Sequence, residues 1–539
     1  MKAKQLYSLV LSLTLALGSI SVAAADEMQL PTPEAIDSMH LLTPILNVET
    51  EVESEAALQS LADLDANSKL LALAQIAEFA EEQGDPEVLI AFLPYIGEDL
   101  MDNLDADTAT AILENDAYGD LFKIYVIDFA NTLDNFSSAS YNEALVEVAM
   151  DSSESDELRV YAAHYLDADM VSDPVAVYET LYNEAASMDD KMLMLKDIGF
   201  VEPDTARELS LDILDNYEAY ESRIVTMANK AYVRSINGEQ NLIDDIIARN
   251  REIMATGDAE LTNGCILALS ELEEPESVEL IFELDSFEDL YSLYKLVNYN
   301  FDGVVAYTAE AGPDSLSKIV NAVPSEEFIP VIKSRMAQRS SDALSTELGE
   351  ELLNTIELAN TEVSTRAASS SNWDGYAIFR DGVSIGVINI DWHTGIVYNS
   401  NGTGKDNIIY VAHHSGTGYA THEADFDEFM DGNNTFKGAR KTTSNTTIRN
   451  NILATCLDVS NEAVGYCFDL LIKYRGVGSD LIIKPEHLTA VRCDGFVEYC
   501  YEKNDEIIRG SNISTLPGAQ FDNSNIGTPH TMFNDMEAV

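Results

Sequence analysis

Two side chains in this sequence stand where they could do chemistry, a cysteine that opens a helix and a histidine that opens a strand. The stretch from Arg492 to Tyr499, Arg-Cys-Asp-Gly-Phe-Val-Glu-Tyr, puts Cys493 at the expected start of an amphipathic helix. Unpaired backbone N–H groups and the helix dipole at such an end stabilise a thiolate, and the same N–H groups can hold an oxyanion. Gly495 permits close approach of a substrate, while Phe496 and Val497 supply packing that fixes the thiol. A thiolate nucleophile needs a base, and His393 lies in Asp391-Trp392-His393-Thr394-Gly395-Ile396-Val397-Tyr398 at the start of a strand. The next strand ends in Val411-Ala412-His413-His414, so His413, in preference to His414, is the candidate to orient the His393 ring. His40, His164, His487 and His530 lack such a context and are expected to be packing or surface residues.

Other patterns fall short of a site. Asp63-Leu64-Asp65-Ala66-Asn67 opens like a calcium loop but has Ser68 where glycine belongs and Ala74 at the last ligand position. Asn103-Leu104-Asp105-Ala106-Asp107 begins with asparagine and lacks the glycine, so both stretches read as turns between helices. His422-Glu423 has no second histidine four residues on, and Gly402-Thr403-Gly404-Lys405 lacks the spacing of a phosphate loop. Five cysteines leave at least one thiol unpaired within the chain. Cys493 and Cys500 are about 10 Å apart along a helix, beyond disulfide reach, which makes Cys456 with Cys467 the better candidate bridge. Cys265, in an apolar helical stretch, reads as core.

Two kinds of region must position these residues. From about Glu51 to Leu358, leucine, alanine and acidic residues recur at helical spacing with no convincing strand. Breaks at Gly84-Asp85-Pro86, Ser172-Asp173-Pro174, Glu202-Pro203-Asp204, Glu274-Pro275 and Gly312-Pro313 read as helix starts, since proline is tolerated in a first turn. The stretch Asp258 to Leu284 resembles a HEAT-type helical pair, and the region reads as an all-α solenoid of irregular repeats, with a helical bundle as the alternative. After the Ser- and Thr-rich stretch Ser364 to Asn372, glycine, asparagine and β-branched residues take over. Strands are expected at Tyr376 to Arg380, Val383 to Ile390, Thr394 to Tyr398, Ile408 to Ala412 and Phe468 to Tyr474. Helices are expected at Phe426 to Met430, Thr447 to Leu457 and Cys493 to Lys503, which makes an α+β domain.

Composition bounds the partners. The chain has 94 acidic and 31 basic side chains in 539 residues, a formal charge of −63, which excludes nucleic-acid phosphate and anionic membrane surfaces as general partners. The 46% apolar share is that of a chain with a core. The acid is concentrated in the helical region, where it reads as a solvated outer face. Lys2 and Lys4, the apolar run Leu6 to Leu17 and the small residues Ala23-Ala24-Ala25 come in the order of a secretory signal peptide cut before Asp26, with no other span. The expected organisation is therefore a signal peptide at 1–25, a linker at 26–50, an α-helical repeat domain at 51–360, a linker at 361–372, an α+β domain at 373–510 and a polar tail at 511–539. The unlike compositions predict that the fragment from about Ser370 folds alone.

From about Asn372 to Arg509 the sequence resembles the permuted papain-like cysteine hydrolases, circularly permuted relatives of the NlpC-type cell-wall peptidases. The resemblance is carried by His393-Thr394-Gly395-Ile396-Val397-Tyr398, by Arg449-Asn450-Asn451-Ile452-Leu453-Ala454-Thr455, by Gly465-Tyr466-Cys467-Phe468, and by the block from Cys493 to Tyr499. Histidine preceding cysteine is the order of the permuted group. The resemblance implies Cys493 as nucleophile, His393 as base and His413 as the orienting polar residue, with no cofactor or metal. It implies an exported amidase or peptidase acting on a peptide or amide substrate, cell-wall peptide being the class that export favours; relatives similar to lecithin retinol acyltransferase handle lipid acyl groups instead. The helical region would then present a surface to a protein partner. The rival expectation is a non-catalytic binding protein with the α+β domain as a recognition module.

Overall fold

The computed structural model describes residues 28–46, 51–86, 88–131, 138–272, 274–284, 296, 300, 303–304, 307, 373–381, 384–385, 388–389, 392–398, 407–411, 421–430, 434–468, 472–475, 483–504, 506, 508 and 529–538. The leader, the 361–372 linker, His413 and His414 lie outside the described residues, as does most of the helical region beyond residue 284.

Among the described residues the chain is all-α up to Phe282 and carries its sheets after Trp373. Proline opens the helices Pro174–Glu184, Pro203–Asp215 and Pro275–Phe282, as the breaks predict. Asp65 and Asp105, from the two calcium-like stretches, are N-caps: each accepts a hydrogen bond from the backbone N–H three residues on. The expected linker at 26–50 is in part structured, because Ile36, Leu42 and Ile45 are buried and Gln75 bonds to the backbone of Ala35 and Leu41.

Five helices form one row: α1 (Asp120–Ala130), α2 (Asp156–His164), α3 (Met188–Val201), α4 (Ser222–Arg234) and α5 (Ala259–Glu271). Each packs on the next, and the helices Ala139–Met150, Pro174–Glu184, Pro203–Asp215 and Gln240–Met254 alternate with them as a second row. The inner row begins at residues 120, 156, 188, 222 and 259, an interval of about 35 that suits stacked helical pairs. These helices are buried around most of their circumference, which is why their apolar stripes are broad.

The α+β part contains strands β1 (Ala377–Asp381), β2 (Ser384–Ile385), β3 (Ile388–Asn389), β4 (Trp392–Tyr398), β5 (Asn407–Val411), β6 (Thr421–Asp425), β7 (Phe436–Lys441), β8 (Gly465–Tyr466), β9 (Ile472–Tyr474), β10 (Leu488–Val491) and β11 (Glu537–Ala538). Its helices are α6 (Phe426–Met430), α7 (Thr446–Ser460), α8 (Cys493–Glu502) and α9 (Pro529–Asp535). A six-stranded antiparallel sheet runs β11-β7-β1-β4-β5-β6, and a smaller sheet runs β8-β10-β9. The expected strand at Val383 to Ile390 is instead the short hairpin β2-β3. The expected polar tail contributes α9 and β11, with Met532 and Met536 buried, so its last ten described residues belong to the fold.

One sheet face, with Ala377, Phe379 and Ile396, joins α7, α8 and the helical region in a single apolar cluster. The other, with Ile378, Val397, Ile408 and Ala424, closes under Phe429 of α6. Charged groups cross the same junction. Asp128 of α1 accepts hydrogen bonds from Lys473 Nζ at 2.6 Å and Phe468 N at 2.7 Å. His164 of α2 contacts the Thr489 carbonyl at 3.0 Å, Lys196 of α3 donates to the Leu488 carbonyl at 2.8 Å, and Asp197 pairs with Arg475. Lys230 of α4 donates to Asp458 at 2.8 Å and to Glu462 at 2.7 Å. The inner face of the helical row, expected to receive a partner, is therefore occupied over α1 to α4 by the chain's own α+β part. Independent folding of that part is not what these buried charges favour, because its acids and bases find their counter-charges on the helices.

Candidate active site

Cys493 is the first residue of α8, and its side chain is fully buried. The helix starts here because Val491 ends β10 and Arg492 keeps an extended backbone, so the chain turns from the small sheet into α8. Arg492 donates to both carboxylate oxygens of Asp494, at 2.7 and 3.0 Å, and to the Phe468 carbonyl at 3.1 Å. Burial works against the guanidinium charge, but Asp494, and more weakly Tyr466 and Cys493, hold it on and raise its pKa. A cation beside a helix-start thiol favours a thiolate, while the paired Asp494 carboxylate and the full burial of Cys493 work against it. Asp494 Oδ1 also accepts from Gly495 N at 3.1 Å, so a carboxylate shares the N-terminal donors with any incoming anion.

The helix brings the thiol to β4. Cys493 Sγ lies 3.9 Å from the carbonyl oxygen of Trp392, the residue before His393 and 101 positions earlier. His393 is buried on β4, opposite Arg380 of β1. The register decides which way its ring faces. Ile396 belongs to the cluster that includes α8, Val397 belongs to the opposite cluster, and Arg380 lies over the Phe429 ring on that opposite side. Alternation along β4 then groups His393 with Val397 and Arg380, away from the face that α8 covers. The sheet thus brings the thiol to the backbone beside His393 and does not put the ring on the thiol's side. His413 and its alternative His414 fall outside the described residues.

The C-terminal helix covers the start of β4. Trp392 stacks on His530 at 4.6 Å and lies 5.1 Å from Phe533, while Phe379 meets Phe533 edge-on at 5.3 Å. His530, expected to be a bland residue, is thus part of the lid over the strand that touches Cys493. His164, expected likewise, lies between Asp197 at 2.8 Å and the Thr489 carbonyl. His487 caps a short turn through the Lys484 N–H.

All five cysteines are unbridged and buried. The neighbour of the Cys456 thiol is Cys500 of α8: burial raises the Cys456 pKa, and the contact with Cys500 raises it further. The expected bridge from Cys456 to Cys467 is accordingly absent. Glu271, Asp458 and Glu462 lie close enough together to hold a metal ion, but Lys230 Nζ occupies their centre, at 3.5, 2.8 and 2.7 Å. The ammonium group neutralises what a cation otherwise would.

The chain matches no family model. No curated protein and no solved structure matches it significantly either. The site therefore rests on its own residues.

Proposed function

We propose that this protein is an exported cysteine amidase or peptidase whose 373–510 region is a permuted papain-like domain attached to a HEAT-like solenoid. The observation that supports it most is the meeting of two distant motifs, the Cys493 thiol at the start of α8 and the Trp392 carbonyl next to His393. In this reading Cys493 Sγ attacks an amide carbonyl carbon while His393 takes the thiol proton. The C–N bond breaks as His393 returns that proton to the leaving amine. Water then hydrolyses the thioester, restoring the thiol. His413 orients His393. The N–H groups that open α8 receive the oxyanion, and the Arg492–Asp494 pair holds the helix start in place. For the His393 ring to reach the face of α8, the start of β4 must shift its register by one residue, because side-chain rotation alone does not cross the sheet. Cell-wall peptide is the proposed substrate class.

A second reading is favoured by the register of β4, which groups His393 with Arg380, and by the buried thiol. In it the α+β part is a non-catalytic recognition module. Release of free amine from peptidoglycan fragments, measured for the full chain, Cys493→Ser and His393→Ala, separates the two. Turnover lost in both variants supports the hydrolase; equal background in all three supports the module.

A further inference from the structure

Strand β6 is an outer strand of the large sheet, and among the described residues no strand pairs with its free side. That free side opens on a cleft of about 840 Å³, lined by all five residues of β6, by the end of α7 and, across from them, by the beginnings of α4 and α5. The cleft is within the size range of ligand sites. Arg223 of α4 fixes one end of the strand: its guanidinium donates to the Thr421 carbonyl at 3.2 Å and to both oxygens of Asp189. Since the Thr421 carbonyl points outward, alternation along the strand turns the backbone N–H and C=O of Glu423 to the cleft as well, while Asp425 caps α6 through its side chain.

The walls are acidic. Glu221, Glu260, Glu423, Asp425 and Glu428 line the cleft against Arg223, whose charge is already engaged by Asp189 and Glu221. Glu260 and Glu423 approach from opposite walls. The walls crowd the Glu423 carboxyl and raise its pKa, and Glu260 raises it further, although the Tyr398 hydroxyl donates to it at 2.6 Å. Two like charges facing each other beside a strand edge with no strand partner among the described residues call for a cation carried on a chain that can pair with that edge.

We propose that this cleft binds an extended peptide segment bearing lysine or arginine, added as a further strand alongside β6 with its basic side chain between Glu260 and Glu423. The inference does not depend on the chemistry of Cys493. Five residues of extended chain, about 17 Å, would run the length of β6 and pair at its centre, Glu423, since Arg223 holds the Thr421 carbonyl. Edge pairing supplies backbone hydrogen bonds, and the carboxylates select the basic side chain.

The test is fluorescence anisotropy on the full chain with a fluorescein-labelled five-residue peptide of alternating valine and lysine, at a salt concentration that screens distant charge. Binding is expected, with Glu260→Gln and Glu423→Gln each weakening it about threefold to tenfold. N-methylation of the central peptide nitrogen, which blocks edge pairing and leaves the charge, should abolish it. Both substitutions fall at the cleft wall, and an unchanged melting temperature checks that the variants fold. No binding, or binding indifferent to N-methylation or to both glutamine variants, overturns the proposal. The latter result would mark simple attraction to an acidic surface.

Discussion

Lys230 and Glu462 are 232 positions apart in sequence and 2.7 Å apart in the fold, and both are sealed from solvent. Burial alone would lower the lysine pKa and raise that of the glutamate. Asp458, Glu462 and Glu271 instead hold Lys230 above its ordinary value, and Arg234, Lys230 and Lys196 hold Glu462 well below its own. The outcome is a buried, charge-balanced joint between a helical array and the α+β part that carries Cys493.

Breaking that joint on one side leaves the buried acids one positive charge short, although Arg234 and Lys196 still face Glu462. Lys230→Met should cost about 3–5 kcal/mol, since removing one member of a buried pair exposes the other to the full desolvation penalty. Urea unfolding measures it, and adding Glu462→Gln and Asp458→Asn to Lys230→Met should recover part of the loss.

The same joint fixes the sign of an acid response. The folded-state pKa of Glu462 lies below its unfolded value of 4.5, so between the two the unfolded chain binds more protons. Its contribution is complete above 4.5 and is lost as pH falls through the window beneath. Thermal melts from pH 6 to 3 should show this loss, and Glu462→Gln should melt lower at pH 6 with a flatter decline.

The thiol of Cys493 sits beneath Trp392 and the C-terminal helix. Phe533→Ala, which removes one ring over Trp392, should speed iodoacetamide labelling of Cys493 more than that of Cys265, whose pKa burial raises. Peptide mapping of the labelled chain reads both sites at once. Labelling of Cys493 no faster than Cys265 in either protein would argue against a poised thiolate.

Cleavage near Ser369 should leave two pieces that stay together. An excised 370–539 fragment, lacking Asp128, Lys196, Asp197 and Lys230, should aggregate or stay unfolded, as gel filtration and circular dichroism would show.

Where the sequence carried a periodic apolar signal, the fold was legible. The helix at Phe426 to Met430, the strand ending at Tyr398 and the amphipathic helix that begins at Cys493 are all legible in the sequence. Strand β6 was missed: Thr-His-Glu-Ala-Asp is an edge strand that faces an acidic cleft, so it lacks the apolar alternation by which strands are recognised. The charges of the inner row were missed for a different reason. Acidic helices read as solvated, yet Asp128 in Tyr-Val-Ile-Asp-Phe-Ala, Lys196-Asp197 after Leu-Met-Leu and Lys230 within an otherwise apolar face interrupt runs that are apolar on both sides. That interruption, recurring from helix to helix, was the available signal. The direction of the His393 ring depends on register, which a one-residue slip reverses and which no local motif encodes.

His164, Asp197 and Lys230 occupy matching places on three successive helices of the inner row, and each meets a different, fixed point of the α+β part. Arrays of helical pairs ordinarily tolerate gain or loss of a unit, because every unit sees only its neighbours. Here the carboxy-terminal part acts as a gauge. Insertion of one more pair between α2 and α3 would move Asp197 and Lys230 a full step out of line while leaving His164 in place. The number of units between these contacts is therefore set by a distant stretch of the same chain, and growth of the array is confined to its ends.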